Sequence, residues 1–264
     1  VTLEPLASAN AVLSQEEKEA GVALIDIGGG TTDLAIFKDG IIRHTAVIPF
    51  GGNVITEDIK EGCSIIEKQA ELLKVKFGSA WPGENKDNEI VSIPGLRGRE
   101  PKEITLKNLS KIINARVVEI IDQVYLEIKN YGHDEQKKKL IAGLVLTGGG
   151  AQLKHLKQTA EYITGMDTRI GYPNEHLAGT TDSETTSPVY ATAVGLVMNS
   201  LEKGSSRFQE EAVLSDNSPV ESSEEGDQMM EDSDQEEQTS NKVARKSIFD
   251  KWAEKFKDFL DNAE

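Results

Sequence analysis

The chain has 264 residues, 38% of them hydrophobic and 28% charged, with a formal net charge of -16. This is the composition of a soluble protein of one large or two small domains, and it supplies no basic face with which to neutralise nucleic-acid phosphates. One cysteine, Cys63, excludes an internal disulfide framework and a cysteine-built zinc site, and no apolar run approaches the roughly 18 residues of a spanning helix.

The chain opens on Val1-Thr2-Leu3-Glu4, with neither an initiating Met nor a basic segment ahead of an apolar one. That is not a signal peptide, and the chain is expected to start in the middle of a longer protein, the reduced thiol and missing signal favouring the cytoplasm. Gly21–Ile27 and Leu34–Phe37 are predicted strands flanking a glycine loop, and Ile41–Ile48 a third, joined to the second by the hairpin dipeptide Asp39-Gly40. From about Thr56 to Lys76 the apolar period becomes helical, closing at Gly78. Residues 79–103 are rich in Gly, Pro and charge and hold one short strand candidate, Glu89–Ile93. A long helix is predicted from Leu106 to Tyr131, with Ile112, Ile113, Val117, Ile120, Ile121, Val124 and Ile128 at helical spacing. Ala142–Leu146 reads as a buried strand that runs through Thr147-Gly148-Gly149-Gly150 into a helix. Arg169–Gly171 is a further short strand and Tyr190–Leu201 a last helix. Hairpins combined with strand–glycine–helix units predict an α/β fold with a mixed sheet over residues 1–202.

Residues 203–241 change character: twelve acids face only Lys203 and Arg207, with Ser-rich spacing and few large apolar side chains. Such a composition cannot bury enough surface to offset chain entropy, so a disordered acidic linker is expected, spanning roughly 35 Å as a flexible coil. Residues 242–264 change again. At about 100° per residue, Ile248, Phe249, Trp252, Phe256, Phe259 and Leu260 fall with the smaller apolar residues in an arc of about 140°. Asp250, Glu254, Asp258 and Asp261 occupy the opposite face, with Lys246, Lys251, Lys255 and Lys257 towards its borders. This pattern predicts an amphipathic helix lying on a membrane surface, its lysines reaching lipid phosphates; the alternative is a helix docked in a protein groove.

Two motifs carry chemistry. In Asp26-Ile27-Gly28-Gly29-Gly30-Thr31-Thr32-Asp33, three glycines let backbone N–H groups converge on an anion. Thr31 and Thr32 add hydroxyls, and Asp26 at the strand end suits a hydrated Mg²⁺ held against phosphate. A plain glycine turn is the alternative. In Leu146-Thr147-Gly148-Gly149-Gly150-Ala151, the bare backbone suits approach to a base or ribose, with a helix N-terminus facing phosphate; close strand–helix packing is the alternative. His44, His133, His155, His176 and Cys63 show no ligand spacing and read as structural.

These residues resemble the actin/Hsp70/sugar-kinase ATPase superfamily, with Asp26–Asp33 similar to its phosphate-2 loop and Leu146–Gly150 to its adenosine loop. Within it, the match is to the FtsA family of bacterial cell-division proteins. It is carried by Glu4-Pro5-Leu6-Ala7-Ser8-Ala9, Asp26–Asp33, Arg43–Pro49 with Gly51-Gly52, Ala70-Glu71-Leu72-Leu73-Lys74 and Val145–Leu153, while Ala191–Leu196 is similar to the superfamily's second connecting helix. The resemblance implies an actin-like, ribonuclease H-like half comprising subdomains 2A and 2B (the 2B insert about 54–140), without the phosphate-1 half and the family's inserted subdomain.

It also implies ATP and Mg as cofactors, with Asp26 towards Mg, Gly28, Gly29, Gly30, Thr31 and Thr32 at the phosphates, Gly148, Gly149 and Gly150 at the adenosine, and Glu71 and Lys74 at the ribose and base. Glu4 resembles the acid that orients the attacking water in relatives, though this piece is not expected to hydrolyse ATP. Arg116 and Glu119 lie in the half that binds the FtsZ C-terminal peptide in this family; a solvated helix face is the alternative. The implied partners are FtsZ, further copies of the chain in a filament, other division proteins and the anionic cytoplasmic face of the inner membrane, with no nucleic acid. An Hsp70-like chaperone would need a β-rich substrate domain where this chain has the acidic segment. A sugar or acetate-type kinase, or a pilus-assembly relative such as PilM, would leave the terminal amphipathic segment unexplained.

Overall fold

The computed structural model describes residues 2–84, 88–95, 100–173 and 185–201, all within one compact unit, Val1–Asn217. The expected linker and terminal helix, including Ile248, Phe249, Trp252, Phe256, Phe259 and Leu260, lie outside the described residues. Among those described, no helix is long and apolar enough to cross a membrane.

The frame is a five-stranded sheet of β1 (Val22–Ile27), β2 (Thr32–Lys38), β3 (Ile41–Ile48), β6 (Gly143–Thr147) and β7 (Thr168–Ile170), in the order β3-β2-β1-β6-β7. β1–β2 and β2–β3 are antiparallel hairpin pairs, whereas β1–β6 and β6–β7 are parallel. The β2–β3 turn holds Asp39 at φ 54° and Gly40 at φ 75°, the two positive dihedrals that a tight hairpin requires. Every residue of β1 and β6 is buried, as expected of central strands covered on both faces.

Strand alternation divides the core. Ala23, Ile25 and Ile27 point to one face, under α3 (Gly52–Cys63) and α5 (Leu106–Tyr131). Val22 and Leu24 point to the other, where α1 (Glu4–Val12) contributes Ala9, Ala11 and Val12, and a last helix, α7, over residues 191–201, contributes Ala191. Asp26 shares the parity of Val22 and Leu24 and so faces α1 and α7.

α5 has the predicted bounds because both ends are chemically marked. Thr105 accepts from the Asn108 amide at 3.3 Å, and Gly132 closes the helix in the left-handed region. Between these ends Ile113, Val117, Ile120, Ile121, Val124 and Ile128 are all buried. The predicted continuous helix over Thr56–Lys76 is instead two, α3 and α4 (Glu67–Phe77), broken where Ser64 adopts φ 47°. The apolar period runs through that break, so it gives no warning there. Residues 79–103 carry a second strand that was not expected: β4 (Ile90–Ile93) pairs with β5 (Lys102–Thr105) in a separate two-stranded sheet. A short helix, α2 (Gln15–Ala20), also went unpredicted, although its capping box of Ser14 and Glu17 is written in the sequence. Glu17 further holds Arg169 of β7 by two bonds of 2.6 Å, tying the sheet edge to α2.

Candidate functional site: a glycine-walled cleft

The first glycine loop is fastened from behind by the start of α3. The Gly52 amide donates to the Gly28 carbonyl at 2.9 Å and the Asn53 amide to the Gly29 carbonyl at 2.8 Å. Gly51 is required there, because a Cβ would lie 2.6 Å from the Gly28 oxygen. With the carbonyls so engaged, the amides of Gly29, Gly30 and Thr31 donate to no backbone or side-chain acceptor among the described residues, and all three residues are exposed. A run of unspent N–H groups on a rigid glycine turn is an anion-binding concavity. Thr31 is exposed and donates to Asp33 Oδ2 at 3.1 Å. Thr32 departs from expectation: it is fully buried, and its hydroxyl is committed to the Phe50 carbonyl at 2.8 Å. β2 begins at Thr32, so adjacent threonines fall on opposite faces, and only Thr31 is left at the loop surface.

The second loop crosses close to the first. Gly148 has φ +82°, and a Cβ there would lie 2.3 Å from Asp26 Oδ1; a Cβ on Gly150 would lie 2.3 Å from the Ile27 side chain. The helix predicted directly after these glycines is replaced by a 3-10 turn, Gly149–Gln152, and α6 (Leu156–Thr164) starts only afterwards. The expected N-terminus of an α-helix is therefore not beside the glycines.

Between the two loops lies a cavity of about 440 Å³, within the size range of small-molecule sites. Gly28 and Gly29 line one side, Gly149 and Gly150 another, and Glu71 and Lys74 of α4 a third, against an apolar wall that includes Ile55, Val75, Ile120 and Leu153. Glu71 and Lys74 are more than a surface pair. Lys74 Nζ is mostly buried, donating to the Gly52 carbonyl at 2.8 Å and the Thr56 hydroxyl at 2.7 Å, and pairing with Glu71 Oε2 at 2.8 Å. Thr56 also donates to Glu71 Oε2 at 2.5 Å. Burial pushes the Glu71 carboxyl up, but its hydrogen bonds to Lys74 and Thr56 outweigh this and hold it below the usual range. Thr56 and Asn53, which stands beside Gly29, escaped the sequence reading because an isolated Thr or Asn carries no motif.

Asp26 is behind the first loop, on the α1–α7 face. It is 7% exposed, and Oδ2 accepts from Ser8 at 2.7 Å and from Thr192 at 3.3 Å. Burial raises its pKa, the two hydroxyls oppose the rise, and Asp33 adds to it. The Glu4 pKa is raised by partial burial and then by the neighbouring charges of Asp33 and Asp26, so the three carboxylates share one negative region. Oδ1 of Asp26 accepts no hydrogen bond among the described residues, so one carboxylate oxygen stays available to the hydration shell of a cation. No group of three or more carboxylates or imidazoles among the described residues is arranged to ligate a metal directly, and a single carboxylate oxygen suits contact through water with Mg, which favours oxygen ligands and keeps its waters.

Arg116 is not free for a partner in this arrangement. Nε and Nη2 grip Asp58 at 2.6 and 2.9 Å, and Nη1 meets Glu119 at 2.6 Å. His44 pairs with Glu127, His133 accepts from the Leu140 amide, and His155 meets Ser79, which are structural contacts; His176 lies outside the described residues. Cys63 is buried.

The sheet order, the helices α1 and α7 packed on one of its faces and the paired glycine loops define the class: this is an actin-like fold. MreB 5 of Spiroplasma citri, a structure bound to AMPPNP, superposes with a TM-score of 0.62 at 23% identity, over 79% of this chain and 60% of that one. The profile described as "Cell division protein FtsA" matches residues 23–195, and the chain belongs to the FtsA family. Cell division protein FtsA of Neisseria meningitidis is 41% identical over 75% of this chain and 47% of its own length. That of Pseudomonas aeruginosa is 39% identical over 78% and 48%. The chain thus spans about half the length of the curated relatives it matches.

Proposed function

We propose that this chain forms subdomains 2A and 2B of a division protein that binds ATP with Mg, assembles into actin-like filaments and tethers the FtsZ ring to the cytoplasmic face of the inner membrane. The observation that carries the reading is the convergence of both glycine loops and the Glu71–Lys74 pair on one cavity. In this reading the amides of Gly29, Gly30 and Thr31 take phosphate oxygens. The apolar wall takes the base, and the bare backbone of Gly149 and Gly150 lets it approach. Lys74, held by Gly52 and Thr56, fixes Glu71 Oε2 and leaves Oε1 to accept a ribose hydroxyl. Asp26 would hold Mg through water, and the ion would supply neutralisation of phosphate charge. Glu4, which feels the charges of Asp33 and Asp26, would orient a water, and the protein would serve as a nucleotide-controlled cytoskeletal element with at most weak ATPase activity. The AMPPNP bound by MreB 5 of Spiroplasma citri supports the same ligand class.

Membrane attachment rests on the apolar arc of Ile248, Phe249, Trp252, Phe256, Phe259 and Leu260. Burying one large apolar side chain fully is worth roughly 1.5–3 kcal/mol, and interfacial insertion realises only part of that against helix ordering. A single segment therefore binds reversibly, while a filament displaying many binds by effective concentration. Nucleotide-dependent assembly is thereby linked to membrane attachment. The FtsZ C-terminal peptide is assigned to the α3–α5 surface, where Arg116 would exchange Asp58 for a peptide carboxylate beside Glu119.

Titration of a fluorescent ATP analogue against the full-length polypeptide tests the cleft. Replacing Lys74→Met leaves Glu71 held by Thr56 alone and is expected to weaken binding by about tenfold, as loss of a charged hydrogen-bond partner does; unaltered affinity would refute the assignment. Flotation with anionic vesicles tests the tether. A chain ending at Glu264 should float with a blue-shifted Trp252 emission and one ending at Asn241 should not; flotation of neither would remove the membrane role.

A further inference from the structure

The proposed Mg carboxylate is held by residues from opposite ends of the fold. Ser8 of α1 and Thr192 of α7 are separated by 184 residues, yet their hydroxyls stand 2.8 Å apart and both reach the same oxygen, Asp26 Oδ2. Ser8 is completely buried. On one flank of the carboxylate the Gly148 backbone lies alongside Oδ1, where no Cβ fits. Two donors on Oδ2 and a backbone wall against Oδ1 leave the group a single orientation, since rotation would break both hydrogen bonds.

The two helices cannot adjust independently to relieve this. They approach so closely that a Cβ on Gly195 would overlap the Ala7 carbonyl. Asn10 Nδ2 donates to Asn199 Oδ1 at 2.7 Å further along the same crossing. The hydroxyls are therefore presented by a backbone contact that is itself fixed. An aliphatic side chain of similar volume at either position would fill the space without holding the carboxylate. No other described residue donates to the Asp26 carboxylate.

We infer that Ser8 and Thr192 are positioning residues for the cation: they orient Asp26 so that Oδ1 faces its hydration shell. The inference rests on the proposed reading of Asp26 and goes beyond it, because it assigns the affinity for metal partly to a helix crossing that touches neither metal nor nucleotide. Outer partners of this kind typically govern affinity by 10–100-fold, roughly, and a second contact through a water is placed at the lower end of that range.

The test measures Mn²⁺ affinity by electron paramagnetic resonance in the full-length protein saturated with ADP, alongside ADP affinity in EDTA. Thr192→Val and Ser8→Ala are each expected to weaken Mn²⁺ by about tenfold while leaving metal-free ADP affinity within twofold, and Thr192→Ser should restore the metal affinity. Equal losses in Thr192→Val and Thr192→Ser would assign the effect to packing and overturn the positioning role. Unchanged Mn²⁺ affinity in Thr192→Val and Ser8→Ala, with a loss in Asp26→Asn, would overturn it while leaving the reading of Asp26 intact. Unchanged affinity in Asp26→Asn would refute that reading and the positioning role with it.

Discussion

Three glycines allow the close approach of the two loops to be measured. Adding a methyl at Gly148 incurs two separate costs: its φ of +82° is unfavourable for alanine, and the new Cβ would stand 2.3 Å from Asp26 Oδ1 and 2.6 Å from the Ile27 carbonyl oxygen. The backbone cost is about 1–2 kcal/mol, and forcing atoms into a packed site costs about 1–3 kcal/mol more. Gly148→Ala is therefore expected to lose about 2–5 kcal/mol. Gly165 has φ +67° with nothing within 4 Å of a Cβ, so Gly165→Ala should lose the backbone share alone, about 1–2 kcal/mol. Gly149 has no positive φ, and a Cβ there meets only Val189 Cγ2 at 4.0 Å, so Gly149→Ala should change stability by less than about 0.5 kcal/mol. Urea unfolding of the three ligand-free full-length variants with a shared slope reads these differences from the midpoints. If Gly148→Ala is no more damaging than Gly165→Ala, the carboxylate does not press on Gly148, and the single orientation inferred for Asp26 fails with it.

Two further outcomes follow from the charges. The pKa of Asp26 is raised by burial in the folded state, so its ionised form is destabilising above that raised value and the penalty fades as pH drops towards the ordinary carboxylate range; Asp26→Asn should thus stabilise the ligand-free protein at pH 7 and lose that gain in urea titrations near pH 4, whereas a gain independent of pH would contradict the sign. Because Asp58 occupies two guanidinium nitrogens of Arg116, Asp58→Ala should free that group and tighten binding of an FtsZ C-terminal peptide several-fold in fluorescence anisotropy; weaker or unaltered binding would remove Arg116 from the peptide site.

What could be read from the sequence was local. The Asp39-Gly40 hairpin, the bounds of α5 and both glycine loops follow from turn dihedrals, caps and apolar period, which depend on neighbours a few residues away. The same locality explains the failures: the apolar period runs on through Ser64 although the backbone turns there, and β5 is short and charged, so it forms only because β4 is present to pair with it. Within the site, sequence located Gly28, Gly29, Glu71, Lys74, Gly149 and Gly150, and the tertiary fold brought them to one cavity. Tertiary structure alone decided that Thr31 is exposed while Thr32 bonds Phe50, that Lys74 secures Gly52, and that Arg116 already holds Asp58. It alone placed Ser8 and Thr192 on Asp26. A serine and a threonine carry no periodic or motif signal, and their significance lies in a carboxylate that reaches them only when the sheet and the two crossing helices are assembled, because desolvation leaves that carboxylate few other donors.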